Sequence, residues 1–269
     1  MSAAQAPALG GVRPAEATGW PLARVLGSEV VEELRTVLRD PLTLFFSVGM
    51  PVGFFALFTS LFGGQAADAG GGGGLTAGAT MLATYGTFGV TGVALITPGI
   101  GLATDRDRGW LRVKAVSATP VPVTLVAKAV ATLPHSLGVL AMTAVGAAIS
   151  GTQLDPATWL RLVGVLLLGS LPFVLLGLSV GALASGSATT AVLQAVFLPS
   201  AVASGLWFPL EMLPSGVQAV APALPTYHLA QLALAQLDGS DATGHLLALL
   251  ASTAVLAAVA VLALRRVRP

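Results

Sequence analysis

The densest chemistry in this 269-residue chain is a single run, Thr104-Asp105-Arg106-Asp107-Arg108-Gly109-Trp110-Leu111-Arg112-Val113-Lys114, which closes at Ala118-Thr119-Pro120. Carboxylates and cations alternate here, in a chain where only 9% of residues are charged, so the run stands apart from everything around it. On a short helix Asp105 would face Arg108 at i+3 and Arg108 would face Arg112 at i+4, which lets part of the run pair internally. Trp110 and Leu111 would then anchor it at the level of lipid headgroups. An ordinary basic loop at a membrane would account for the cations alone. The alternation of sign suits recognition of a charged partner surface.

Other chemistry is missing from the sequence. No Gly-x-x-x-x-Gly-Lys-Ser/Thr occurs, because the two lysines, Lys114 and Lys128, follow Val113 and Ala127. The chain therefore has no phosphate loop with which to hydrolyse ATP, and no enzymatic activity is expected of it. His135, His228 and His245 are scattered, there is no His-Glu-x-x-His, and there are no cysteines, so neither a metal centre nor a disulfide framework is expected. The glycines Gly70 to Gly74 read as flexible linker, since no Lys-Ser or Lys-Thr follows them.

The elements that must position the charged run are six long apolar stretches: Leu42 to Phe62, Ala79 to Leu102, Val123 to Ser150, Trp159 to Ala184, Ala188 to Trp207 and His245 to Leu264. Each has room for the ~20 residues that cross a hydrocarbon core of ~30 Å. A composition that is 55% apolar and 9% charged is far from the quarter charged of soluble domains, so the solvent of this surface is lipid. Continuous apolar runs, instead of short alternating ones, point to helices and away from a barrel. Within the spans no Asp or Glu occurs, which leaves an ion-coupled mechanism without an obvious proton or sodium site.

Lys and Arg near span ends set orientation. Arg13, Arg24, Arg35 and Arg39 precede the first span; Arg106, Arg108, Arg112, Lys114 and Lys128 follow the second; Arg265, Arg266 and Arg268 follow the sixth. Only Arg161 falls on the other side, at a span edge where its side chain can snorkel. Both termini and the charged run are thus expected in the cytoplasm.

Residues 1–19, rich in Ala, Gly and Pro, read as a disordered cytoplasmic leader, and no apolar core of a secretory signal follows them. Over residues 20–41 apolar positions recur at Leu22, Val25, Leu26, Val30, Leu34, Val37 and Leu38, a helix with one apolar stripe. With Arg24, Glu32, Glu33, Arg35 and Arg39 on the remainder, it is expected to lie along the membrane interface; a short soluble helix packed on other cytoplasmic segments is the alternative. Residues 42–264 form the six-span domain and 265–269 a basic tail. The stretch from Phe208 to Gly244 is too apolar for a loop in water, while Pro209, Pro214, Pro222 and Pro225 cut it too short to span, so a re-entrant or interfacial pair of short helices is expected before the last span. Gly49 with Gly53 and Gly177 with Gly181 form small-xxx-small pairs, a weak signal in a chain of 32 glycines. The predicted fold is an all-α membrane protein, a six-span helical bundle.

Three segments together resemble the permease subunits of type-2 ABC exporters, the class that includes daunorubicin-type drug efflux permeases, over about residues 22 to 264. They are Arg39-Asp40-Pro41 before an apolar run with Pro51; Asp105-Arg106-Asp107-Arg108-Gly109 continuing to Ala118-Thr119-Pro120 and Lys128; and Gly205-Leu206-Trp207-Phe208-Pro209-Leu210-Glu211-Met212-Leu213-Pro214 with Leu224-Pro225-Thr226-Tyr227-His228. The chain departs from the family in having Asp where Glu is common and Trp110 after the glycine. The resemblance implies a half-transporter in a bacterial inner membrane that forms a homodimer, or a heterodimer with a similar permease. It further implies docking of two separate ATP-binding subunits, on which ATP and Mg would sit. Asp105, Arg106, Asp107, Arg108, Gly109, Trp110 and Arg112 would be the coupling segment for those subunits, and the helix over 20–41 the interfacial connecting helix. The implied activity is export of an amphipathic drug, lipid or glycolipid, as in multidrug efflux and antibiotic resistance, with Phe88, Gln194 and Phe197 as candidate cavity residues that could equally be packing between helices. No nucleic-acid partner is expected. An ion-coupled secondary transporter and a non-transporting membrane scaffold are the alternative readings.

Overall fold

A computed structural model describes residues 22–39, 52–57, 77–110, 121–149 and 154–266, with a few isolated positions between them. The expected leader, most of the first span, the glycine run, Arg112 to Pro120 and the end of the basic tail lie outside the described residues. Among those described, every regular element is helical, and the protein is an all-α membrane protein.

The helices are α1 (Leu22–Leu38), α2 (Ala77–Asp107), α3 (Val121–Ile149), α4 (Pro156–Gly169), α5 (Leu171–Leu183), α6 (Gly186–Ala203), α7 (Ser215–Val220), α8 (Pro225–Asp238) and α9 (Thr243–Leu264). Among the described residues there are five candidate spans, Gly78–Asp107, Val123–Ile149, Pro156–Leu183, Gly186–Ala203 and Thr243–Leu264, which match the second to sixth apolar stretches. The span over Pro156–Leu183 is two helices in series. Pro172 has no N–H to give and its ring crowds the preceding turn, so the ladder breaks at Ser170, whose hydroxyl bonds back to the Leu167 carbonyl at 2.7 Å. At the start of α4 the exposed Asp155 carboxylate accepts the N–H groups of Ala157 and Thr158, each at 3.0 Å. The Thr158 side chain above all, then these backbone donors, hold that carboxyl below its ordinary value.

Helix α2 is the hub, touching α3, α5, α6 and α8. Its closest neighbour is α5, and glycine is the reason. A Cβ on Gly177 would stand 2.1 Å from the Leu95 carbonyl oxygen, and one on Gly181 2.2 Å from that of Gly99. The two backbones meet directly, as small-xxx-small pairs permit in lipid, where area burial supplies no drive between helices. The other pair does not act this way: nothing lies within 4 Å of a Cβ built on Gly53.

Helix α6 ends in a Schellman turn. Gly205 takes φ +74°, its N–H donates to the Val202 carbonyl at 3.0 Å, and the Leu206 N–H donates to the Ala201 carbonyl at 3.1 Å. The chain then runs through two 3-10 turns and α7, of six residues, into α8, of fourteen. Neither helix is long enough to span, as expected for the stretch before the last span. Helix α8 is nonetheless deep in the bundle: Leu229 and Ala233 are fully buried, it packs on α2, α4 and α9, and Gly169 of α4 leaves the space that the Leu229 side chain fills. Its first turn is tied down by a short hydrogen bond between the Thr226 and Ser204 hydroxyls. Helix α1 packs against α3, with Leu26, Val30 and Leu34 of its apolar positions half-buried and Leu38 exposed.

Candidate functional site

A helix of 31 residues is about 46 Å long at 1.5 Å per residue, well beyond the ~30 Å of a hydrocarbon core. The excess of α2 is its charged end. Asp105, Arg106 and Asp107 are the last turn of the second span itself, not a separate short helix. The turn closes at Gly109, which takes φ +71° and donates its N–H to the Arg106 carbonyl at 3.0 Å.

The three charges of that turn each hold a different helix. The Asp105 carboxylate pairs with the Lys128 ammonium of α3 at 2.9 Å, and Lys128 is only 2% exposed. Sequence spacing points to Arg108 as the partner of Asp105; the fold instead brings α3 against α2 and buries Lys128 on the carboxylate. The Arg106 guanidinium donates to the carbonyls of Gly181 at 3.1 Å and Ala184 at 2.7 Å, and also to that of Ala182. These carbonyls belong to the last turn and C-cap of α5, which have no partners within their own helix. The Asp107 carboxylate accepts the N–H of Gly186, the first residue of α6, at 2.7 Å. Ser185, at the N-cap position, makes no side-chain cap, so Asp107 caps α6 from another helix.

A cation thus sits on the negative end of α5 and an anion on the positive end of α6, each the sign that the helix dipole favours. Only Ala184 and Ser185 separate the two helices, so the pair clasps this tight turn from both sides. Arg108 and Trp110 are left exposed beside the clasp, and Gly109 is half-buried. Of the expected coupling residues, then, Asp105, Arg106 and Asp107 each grip another helix, Asp107 from an exposed position, Arg108 and Trp110 are exposed beside them, and Arg112 lies outside the described residues.

On α1, Arg24 and Arg39 are exposed, and Glu32 pairs with Arg35 at 2.9 Å on the open surface. The Glu33 side chain lies outside the described residues. Of the candidate cavity residues, Phe88 of α2 and Phe197 of α6 stack face to face, with ring centroids 4.9 Å apart, and are buried. Trp207 meets Phe88 edge-on at 5.5 Å, and a Cβ on Gly92 would touch the Phe197 ring at 3.0 Å. Gln194 is half-buried on α6 and is not part of this stack.

Site residues that sequence reasoning did not single out are Gly99 and the α5–α6 turn with Gly186. Their signal was hidden because their contribution is backbone: carbonyls, one N–H, and the absence of a Cβ.

The ABC-2 type transporter family matches residues 27–237. The protein "Putative transport permease YvfS" of Bacillus subtilis (strain 168) is 26% identical over 220 residues, covering 81% of this chain and 88% of that protein. The matched region runs from α1 to the last turn of α8 and includes the whole charged end of α2 with its partners in α3, α5 and α6. A family match across most of the chain, on a bundle of membrane-length helices, makes this chain a membrane transport permease that belongs to the ABC-2 type transporter family.

Proposed function

We propose that the chain is the membrane subunit of an ATP-driven exporter, working as a dimer with two separate ATP-binding subunits that carry ATP and Mg. It would move an amphipathic drug, lipid or glycolipid out of the cytoplasm or inner leaflet of a bacterial inner membrane. The observation that carries this reading is the clasp at the end of α2. A push on the exposed Arg108–Trp110 edge is delivered at once to α3 through Asp105–Lys128, to α5 through Arg106 and to α6 through Asp107. One contact face is thereby geared to four helices, as a permease driven from outside the membrane requires.

In this reading Arg108, Gly109, Trp110 and the adjoining Arg112 touch the ATP-binding subunit, while Asp105, Arg106 and Asp107 transmit the movement. Helix α1, with Arg24, Glu32, Glu33, Arg35 and Arg39, lies along the cytoplasmic interface beside them. Tilting α6 away from α2 would open the Phe88–Phe197 stack toward a cavity that Gln194 also lines. The basic residues, gathered on one side apart from Arg161, support cytoplasmic termini.

The test is purification of the tagged protein from native membranes in mild detergent. Recovery of an ATP-binding subunit near one-to-one is expected, and its loss from Arg108→Glu with no change in melting temperature. Intact protein that brings down no such subunit would defeat the export reading, and an Arg108→Glu variant that still brings it down would defeat the docking assignment.

A further inference from the structure

At the opposite end of the bundle from the clasp, the first turns of α8 and α9 bring two histidines together. His228 Nδ1 and His245 Nδ1 are 3.0 Å apart, from helices that touch along their packed faces. The other ring nitrogen of His228, Nε2, lies 2.9 Å from the Pro222 carbonyl oxygen. A carbonyl only accepts, so this Nε2 carries the proton, and in the neutral ring Nδ1 presents a lone pair toward His245. Tyr227 stands edge-on to both rings at 5.6 Å, limiting their rotation. Both histidines are half-buried, which leaves water access to the point between them.

This is the arrangement of a histidine ligand whose second nitrogen is fixed by a backbone carbonyl. Two nitrogens bound in cis positions of a tetragonal ion at about 2.05 Å are about 2.9 Å apart, whereas a tetrahedral ion at the same bond length needs about 3.3 Å. The observed 3.0 Å, held by an Nδ1–H···Nδ1 hydrogen bond that His245 donates, is nearer the first value, so an ion replacing that proton needs little movement of the rings. We propose that His228 and His245 form a two-histidine site for a divalent transition metal of the copper and nickel class, with water completing its coordination. On binding, the proton of neutral His245 resides on Nε2, so that both Nδ1 lone pairs face the ion and the ring protons are conserved. The site joins α8 to the last span, so the ion would brace the short helix in its slot. The assignment rests on the ring geometry alone and stands independently of the export reading.

The experiment uses the full chain in detergent, purified through a tag without histidine, with Ni(II) for calorimetry and Cu(II) for electron paramagnetic resonance. One Ni(II) per chain is expected, together with a rise in melting temperature. His228→Asn and His245→Asn should each weaken binding at least about tenfold, while His135→Asn, in the body of α3, should leave it unchanged. Wild-type Cu(II) spectra should show coupling to two nitrogens, reduced to one in either variant. No saturable binding, equal affinity in all three variants, or a wild-type spectrum with fewer than two nitrogens would each overturn the site. The wild-type spectrum decides even if a variant fails to fold.

Discussion

Lys128 concentrates the energetic argument at the scale of single residues. A buried ammonium is tolerable only because the Asp105 carboxylate lies 2.9 Å away, and removing one partner of such a pair typically costs ~3–5 kcal/mol because the other charge is left uncompensated. Lys128→Met is therefore expected to lower stability sharply, read as melting temperature in detergent, and the added change Asp105→Asn should recover much of the loss. A double variant no more stable than Lys128→Met would show that the pair does not hold α2 to α3. Arg106 differs in kind, since its partners are three carbonyls at a helix end, and charge-assisted hydrogen bonds contribute about 1.5–3 kcal/mol each at most. The concentration of charge in the Asp-Arg-Asp-Arg run is readable from residue types. Which of its members grip other helices is not, because Arg106 and Asp107 engage backbone atoms of residues as plain as Ala184 and Gly186.

Among elements, the spans were the most legible part. Lipid forces an apolar run to satisfy its backbone as helix, and the stretch expected at His245 to Leu264 is realised as Thr243–Leu264. The break at Ser170 and the extension of α2 to Asp107 were less legible, since one depends on where a proline falls in a ladder and the other on helix continuing past the lipid. The contrast between the two glycine pairs is sharper still, because the sequence pattern is identical and only packing tells them apart. Gly177→Ala must push α5 away from the Leu95 carbonyl, and such overpacking costs about 1–3 kcal/mol or more. Gly53→Ala meets nothing and should be neutral or stabilising by up to ~1 kcal/mol through helix propensity. Unfolding of both variants in detergent is the measurement, and equal stabilities would mean that the α2–α5 contact does not depend on a bare backbone.

For the whole molecule, the helices alternate so that two ends of the bundle are distinct. The C-termini of α2, α5 and α9 and the N-termini of α3 and α6 share one end, where Arg106, Arg108, Lys128, Arg265 and Arg266 lie. The C-termini of α3 and α6 and the N-termini of α4 and α9 share the other, where Arg161 is the single described cation. In the orientation proposed above, the basic end faces the cytoplasm, because Lys and Arg near span ends are retained on that side. The absence of cysteine turns this into a direct test, because any introduced thiol is the only one in the chain. Ser187 at the start of α6 and Ser240 beyond α8 are both exposed and sit at opposite ends. In intact cells a membrane-impermeant maleimide should label Ser240→Cys and spare Ser187→Cys, which becomes reactive once the membrane is opened. The reverse pattern would invert the molecule, placing the clasp where no cytoplasmic ATP-binding subunit could reach it; labelling of both positions in intact cells would break the alternation on which the orientation rests.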